Sequence, residues 1–364
     1  MRTHDPAMRR LIERVRDAAE ARTPLEIRGG GTKAFYGNPP RGEPLDLCEL
    51  AGITCYEPTE LFVTALAGTP VPELEAVLAE RGQCLPFEPP RFGSAGTVGG
   101  MVAAGLAGPA RASAGPLRDF VLGVSMLNGR AETLTFGGQV MKNVAGYDVS
   151  RVFAGAMGIL GVLCEISLKV MPRPPARKTL CFDLDEAAAL EHLHRWAGRP
   201  LPLSGSSWHR GRLHIRLGGA RAAVASARQL IGGAELEPAA ADTWWSDVRD
   251  QRHAYFRLTQ SALDGGERLW RLSVPDTARP LAVPGEQFIE WGGAQRWVRG
   301  SAPAAELRSA AARVGGHATL FRAADKSPGA FAALSGPVMN IHQRLKLSFD
   351  PAGIFNPGRL YPEL

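Results

Sequence analysis

The sequence predicts an α+β protein of two domains, and three observations carry that expectation. Short β-type runs separated by glycine-rich loops fill the first half of the chain. A proline cluster, Pro172, Pro174 and Pro175, then interrupts it. Beyond the prolines, apolar periodicity reads strand, helix, strand, strand, helix, strand, the βαββαβ order of a ferredoxin-like unit. At 364 residues the chain is long enough for two such cores.

Each element has a local reason. Asp5-Pro6 caps a helix whose apolar stripe is Met8, Leu11, Ile12 and Val15. Strands follow at "PLEIR" (24–28), "PLDL" (44–47), "ITCYEP" (53–58) and "LFVTALAG" (61–68). A helix in "TPVPELEAVLAERG" takes Thr69 as cap and Gly82 as stop. "VLGVSMLNGRAETLTF" reads as a hairpin turning on Asn128-Gly129, the preferred type I′ pair. "GVLCEISLKVMP" is a long strand closing the first region at Pro172.

In the second domain, strand 178–183, helix 186–197, strands 203–208 and 212–217, helix 219–231 and a weak last strand are expected. "RLWRLSVP" and "EQFIEW" add strands, with Gly292-Gly293 as a turn. Helix 303–314 stops at Gly315-Gly316, and a final helix spans 336–349. The expected division is 1–172 (an N-terminal part to about 52, then 53–172), a cap domain 173–302, and a segment 303–364 returning to the first domain.

Composition excludes several classes. No run of 18 apolar residues suggests a transmembrane helix, and the N-terminus lacks the apolar core of a secretory signal. The five cysteines are scattered, with no C-x-x-C, which points to a reducing, cytoplasmic setting without an iron–sulfur or structural zinc site. The net charge of +6 is spread over the chain rather than gathered in a stripe, which argues against nucleic-acid binding.

Three glycine clusters carry the chemistry. "RGGGTKAFYG" (28–37) has the bare backbone of a phosphate loop. It lacks the Gly-Lys-Ser/Thr ending of a P-loop, and "KAFYGNPPRGEP" cannot open the helix that a dinucleotide fingerprint needs. A phosphate loop of neither common kind, or a plain glycine turn, fits this stretch. "GSAGTVGGMVAAGLAGP" (93–109) places Thr97 before a helix whose first turn holds Gly99 and Gly100. Two bare loops suggest a diphosphate held from two sides; a small-residue packing helix is the alternative. The third cluster has glycines at 137, 138, 146, 155, 158 and 161 around Lys142, Asn143, Tyr147 and Asp148.

Taken in order, "RGGGTK", "EPTELFVTALAGTPVPELEAVLAERGQCLPFEPP", "GTVGG", "KNVAGYD", "GVLCEISLKVMPRP" and "FDPAGIFNPGRLY" resemble the vanillyl-alcohol-oxidase (PCMH-type) flavoproteins. The likeness covers about 22–172 and 313–362. With "GGQVMKNVAGYDVSR" and "GGHATLFR" it extends over nearly the full length to the FAD-binding subunits of bacterial glycolate oxidase (glycolate dehydrogenase) complexes. The resemblance implies a two-subdomain PCMH-type FAD-binding domain plus the ferredoxin-like cap. It implies that Arg28, Gly29, Gly30, Gly31, Thr32 and Lys33 wrap the FAD pyrophosphate. Gly96, Thr97, Gly99 and Gly100 would contact the diphosphate and flavin side. Asn143 would join the cofactor set, Gly161-Val162 would run by the cofactor, and Asn356 would lie near the ring. Covalent members often carry His in the first loop; Thr32 and Lys33 stand there, so FAD is expected to be non-covalent.

The implied partners are a larger flavin subunit carrying the substrate site and an iron–sulfur subunit that takes the electrons. The complex would oxidise glycolate to glyoxylate in the cytoplasm, with peripheral association at the inner face of the membrane compatible with the reading. Oxidising a 2-hydroxy acid also needs a base and a carboxylate anchor. The metal-binding pattern G-H-x-G-D-G-N-x-H of related dehydrogenases is absent from the sequence. His192 and His194 point to different helix faces, His209 and His214 read as a solvated pair beside a turn, and His342 as a surface residue. His317 and Arg322 are the candidates for base and anchor, with a structural role preferred for His317. Trp244, Trp245, Trp291 and Trp297 read as core or interface. A free-standing FAD-dependent 2-hydroxyacid dehydrogenase and a non-catalytic scaffold are the other readings.

Overall fold

In the computed structural model, residues 5–139 and 147–364 are described. The Asp5 carboxylate accepts from Ala7 N–H, and Pro6 opens helix α1 (Pro6–Ala21), which buries Met8, Leu11, Val15 and Ala18. Strand β1 (Leu25–Arg28) pairs in parallel with β2 (Glu43–Asp46), and "GGGTK" leaves the end of β1. Next come β3 (Ile53–Glu57), β4 (Phe62–Leu66), α2 (Val71–Glu80), β5 (Gln83–Cys84), α3 (Val98–Ala104) and α4 (Arg111–Ala114). The hairpin β6 (Val121–Leu127) and β7 (Thr133–Gly137) precedes β8 (Val162–Lys169) and β9 (Met171–Pro172). The larger sheet is antiparallel in the order β3-β4-β8-β6-β7. It is buried on both faces: Leu163, Ile166 and Leu168 join the core with α2 and α3, whereas Val162 and Cys164 join that of α1, β1 and β2. This sandwiching explains the nearly continuous apolar run of β8.

Two local expectations are corrected. Thr69 does not cap α2. Pro70 holds that position, and the Thr69 hydroxyl instead pairs with both the N–H and the C=O of Gly52. The β6–β7 hairpin exists but does not turn on Asn128-Gly129 alone. Its loop spans five residues, 128–132, in which Asn128 Oδ1 accepts from Arg130 and Glu132 N–H and Ala131 takes φ +59°. The Asn side chain thus supplements the backbone bonds Asn128 N–H to Glu132 O and Ala131 N–H to Asn128 O that close the loop.

The second unit runs β10 (Ala176–Asp183), α5 (Glu186–Ala197), β11 (Leu203–His209), β12 (Arg212–Gly219), α6 (Arg221–Ile231) and β13 (Ala234–Glu235). Its strand order β13-β10-β12-β11 is the ferredoxin-like one. The sheet does not stop there. After α7 (Pro238–Arg249) and α8 (Gln260–Asp264), strands β14 (Arg268–Ser273), β15 (Glu286–Glu290) and β16 (Gln295–Gly300), helix α9 (Ala304–Arg313) and β17 (His317–Arg322) extend it. The order β11-β15-β16-β14-β17 completes eight strands. The boundary expected at 303 therefore moves. β17 has buried residues from Ala318 to Phe321 and pairs with β14, so 304–322 belong to the cap sheet. The return to the first unit begins with α10 (Gly336–Phe349).

Beyond α10 the chain is tied deep into the first unit. Lys346 Nζ donates to Ile159 O, Phe355 O and Asp350 Oδ2, each at 2.7 Å. Phe355 bridges Leu25 in parallel, extending β1. Apolar groups of both units meet in one cluster, with Tyr36, Ala104, Leu106 and Met157 against Phe256, Phe288, Trp297 and Phe321. Polar ties cross the same seam: Arg216 to Glu88 at 2.9 Å and Trp291 Nε1 to Gly108 O at 3.0 Å.

Candidate functional site

A cleft of ≈ 220 Å³ opens where β1 ends, between the first glycine loop, α3 and the 356–359 segment. Arg28, Gly29, Gly30, Gly31, Thr32 and Lys33 line it, with Thr97, Gly100, Ala103, Ala104, Met157, Asn356 and Arg359. Among the described residues, the N–H groups of Gly29, Gly30, Gly31, Thr32 and Lys33 have no protein acceptor. Five successive unpaired main-chain donors form the kind of cradle that binds phosphate oxygens. Lys33 adds a cation. Burial lowers its ammonium to about 8, partly opposed by the Asp250 charge, and no carboxylate pairs with it among the described residues. A desolvated, unpaired cation favours a neighbouring anion.

The glycines have two separate jobs. Gly31 sits at φ +67° with open space where a Cβ would point, so only its backbone conformation demands glycine. Gly29 and Gly30 are needed for close packing: a Cβ on Gly29 would lie 2.2 Å from Thr97 Oγ1, and one on Gly30 1.5 Å from Ala95 O. The first loop is pressed onto the second. A Gly96 Cβ would come within 3.3 Å of Thr32 Oγ1.

The start of α3 is not a free anion site. Val98 N–H donates to Thr69 O, Gly99 N–H to Ala67 O, Met101 N–H to Thr97 O, and Gly100 N–H to the Thr97 hydroxyl. The protein itself fills the helix's orphan donors. Gly99 is glycine because a Cβ there would come within 2.8 Å of Ala67 Cβ. Gly96 and Gly99 therefore support the cleft without lining it, while Thr97 and Gly100 form its wall.

Three more expected residues resolve differently. Asn356 lines the cleft at φ +42°, but its side chain is committed elsewhere: Oδ1 accepts from Ile27 N–H at 2.8 Å and Nδ2 donates to Met157 O at 2.7 Å. It holds the walls of the cleft together. Gly161 and Val162 lie outside the cleft. A Gly161 Cβ would sit 2.6 Å from Leu127 O, and Val162 is fully buried in the core beneath α1. Asn143 and Lys142 lie outside the described residues. Arg359 was not anticipated. Buried in the cleft wall, it donates to Asn38 O and, at 2.9 Å, to Ala34 O, so it braces the chain leaving the glycine loop. The signal was the "NPGR" run beside Asn356, a turn carrying a cation.

His317 and Arg322 cannot share one small substrate. They stand at opposite ends of β17, separated by about 16 Å at the usual strand rise. Partial desolvation and the nearby Arg271 lower the pKa of His317. Arg322 stacks its guanidinium 3.8 Å from the Phe35 ring centre, and burial lowers it to about 10. The cap histidines also differ from expectation. His214 is buried and stacked on Trp244 at 3.8 Å, and His209 Nε2 donates to the Glu286 carboxylate at 2.8 Å, so the two are not a solvated surface pair. Trp245, Trp291 and Trp297 are buried, as expected of core and seam residues.

Comparison with known proteins gives the family. The FAD binding domain family matches residues 8–150. Glycolate oxidase subunit GlcE of Escherichia coli (strain K12) is 46% identical over 354 residues, covering 97% of both chains. This chain belongs to the GlcE family of glycolate oxidase subunits. Glycolate oxidase subunit GlcD of Bacillus subtilis (strain 168) is 31% identical over 163 residues, 44% of this chain and 35% of that one. In three dimensions, alkyldihydroxyacetonephosphate synthase superposes with a TM-score of 0.66 at 14% identity, over 96% of this chain and 75% of that one, which shows a shared fold. The resemblance read from the glycine motifs is borne out, as are the flavoprotein fold and FAD as the cofactor of the GlcE family chain. The GlcD match covers under half of the chain, whereas the GlcE match includes the cap.

Proposed function

We propose that this GlcE-family chain holds FAD non-covalently within a glycolate-oxidising complex, and that glycolate is converted to glyoxylate on a larger flavin subunit. Electrons then pass to an iron–sulfur subunit. The observation that carries the cofactor part is the row of N–H groups from Gly29 to Lys33 without protein acceptors among the described residues, beside the desolvated Lys33 ammonium. These groups would hold the diphosphate. Bound FAD supplies a two-electron acceptor. Arg359 and Asn356 keep the loop and its supporting strand in place, and Ala103, Ala104 and Met157 give the cleft an apolar wall that excludes water. Among the described residues, those lining the cleft include no His, Cys or Tyr, which supports a non-covalent link.

Placement of substrate chemistry on a partner is supported by the separation of His317 from Arg322 at the two ends of β17. Among the described residues no helix is long and apolar enough to cross a membrane, and attachment to the inner membrane face would come through the complex. The test is the visible spectrum of the purified chain before and after anaerobic glycolate. A flavin spectrum that stays oxidised is expected. Bleaching would put the substrate site on this chain, and a colourless protein after reconstitution would sink the cofactor assignment. Acid precipitation should release all the flavin; coloured precipitate would overturn the non-covalent reading.

A further inference from the structure

Six large apolar side chains stand exposed among the described residues: Tyr147, Val152, Leu230, Val338, Ile341 and Leu347. Leu230 is alone on α6 of the cap. The others fall on two neighbouring segments of the flavin unit, α10 and residues 147–153. The Phe153 and Phe349 rings meet edge to face at 5.4 Å and join these segments. Along α10 the exposed residues Val338, Ile341, Arg344 and Leu347 recur at every third position, a single ridge about 14 Å long at the usual helix rise.

The inner face of α10 is already satisfied. Met339, Leu345 and Phe349 pack on the core, and Lys346 Nζ is spent on Ile159 O, Phe355 O and Asp350. The ridge is a second apolar face, on which Ile341 and Leu347 keep 64% and 62% of their surface in water. A contiguous apolar surface with polar edges marks a contact site.

Charge decides what the ridge can meet. α10 contains no acidic residue, and Arg344 stands on the ridge between Ile341 and Leu347. The β6–β7 loop brings Arg130 to the end of the same helix, through Gly129 N–H to Phe349 O at 2.8 Å. Neighbouring carboxylates are engaged elsewhere: Asp350 by Lys346, Asp148 by Arg151 and Glu132 by Asn128, each at 2.7 Å. Neither Arg344 nor Arg130 has a carboxylate partner among the described residues. A second copy seated on the ridge by a two-fold axis would bring both pairs of arginines into one small contact with nothing to neutralise them. The occupant must instead offer apolar side chains edged by carboxylates.

We propose that the α10 ridge is the docking surface for the larger flavin subunit of the glycolate-oxidising complex, which meets it with an apolar face rimmed by Asp or Glu. The identity of the occupant rests on the function proposed above. On that reading the larger subunit carries a flavin unit related to this one, and related units can pair about a pseudo-two-fold, each presenting the same patch. Arg344 and Arg130 then select the pairing: they repel an identical copy and attract a relative whose facing positions are acidic. The partner would press on the helix that backs the cofactor cleft, because Lys346 ties α10 to Phe355, and the next residue, Asn356, lines that cleft.

The test is recovery of the larger flavin subunit with the affinity-tagged chain when all subunits are coexpressed, at fixed ionic strength. Ile341→Asp and Leu347→Asp should each lower recovery at least about tenfold. Leu230→Asp, at a position 61% exposed on α6, should match the parent. Arg344→Glu should weaken recovery and Arg344→Lys keep most of it. Each variant is also purified alone, where flavin content and unfolding midpoint should stay at the parental values; Ile341→Gln repeats the test if the Asp variant unfolds. Parental recovery by Ile341→Asp and Leu347→Asp or by Arg344→Glu, an equal loss in Leu230→Asp, or loss of the iron–sulfur subunit with the larger one retained would each overturn the proposal. So would a parent that is dimeric alone and made monomeric by Ile341→Asp, which would give the ridge to a second copy. A parent that recovers no larger subunit would defeat the complex reading and this inference with it; normal parental recovery with unaffected ridge variants would defeat this inference alone.

Discussion

Gly30 and Ala95 press two loops together so closely that a Cβ on Gly30 would lie 1.5 Å from the Ala95 carbonyl oxygen. The neighbouring Gly31 has open space instead, and only its φ of +67° asks for glycine. The two positions should respond differently. Gly30→Val should push the loops apart and cut flavin content to below about a tenth of the parent, whereas Gly31→Ala should keep most flavin and lose about 1 kcal/mol of stability. The ratio of flavin to protein absorbance checks both. Equal retention in the two variants would disprove the division of roles.

Asn356 is expected to act as a clamp. Replacing it with Ala would leave Ile27 N–H and Met157 C=O without their 2.8 and 2.7 Å partners, at a φ of +42° that Ala tolerates poorly. The expected loss is about 2–4 kcal/mol. Urea denaturation would show it as a lower midpoint; a change below about 0.5 kcal/mol would mean that water satisfies both groups.

FAD affinity should depend on pH through Lys33. Burial holds the ammonium at about 8 in the free chain, and a bound diphosphate would raise it. The complex then takes up a proton above that pH, so affinity should be flat below about 8 and weaken up to about tenfold per unit above it. Lys33→Arg, which stays charged, should flatten the profile. Dissociation constants from flavin fluorescence between neutral and alkaline pH provide the measurement.

Glu290 should make the seam sensitive to pH. It is fully buried, accepts from Trp297 Nε1 at 2.6 Å and Gln295 Nε2 at 3.0 Å, and burial raises it from 4.5 to about 7. The folded chain therefore binds more protons than the unfolded one between those values. Stability from this group should fall as pH rises through the window and stay lower above it. Glu290→Gln should be more stable than the parent at alkaline pH, by on the order of 1–3 kcal/mol, and lose that advantage in acid. Chemical denaturation on both sides of the window would check the crossing.

The elements were largely legible from local chemistry. Asp5-Pro6 started α1 and the Pro172 cluster marked the linker, because capping and proline geometry act within a few residues. The bare loops were equally visible. What approaches them was not: glycine spacing looks the same whether the space beside the backbone is open, as at Gly31, or filled by a backbone oxygen, as at Gly30. The Thr97 cap was readable, but the carbonyls of Ala67 and Thr69 that fill the first donors of α3 come from another part of the chain. The helix stop at Gly315-Gly316 was legible too, yet the place of 317–322 in the sheet depended on pairing with 268–273, which no local pattern specifies. His317 and Arg322 looked like a pair in sequence because five residues is a short interval in text and a long one along a strand.

The link from Asn356 to Ile27 spans 329 residues. On the ribosome, the glycine loop emerges early and its clamp emerges only after the whole cap has been made. The nascent flavin unit must therefore wait, with the edge of β1 unpaired along Leu25 until Phe355 arrives. Cofactor capture in this architecture belongs to the end of synthesis. A pause or premature stop anywhere in the cap would leave a chain that has its cradle sequence and no means of holding it shut.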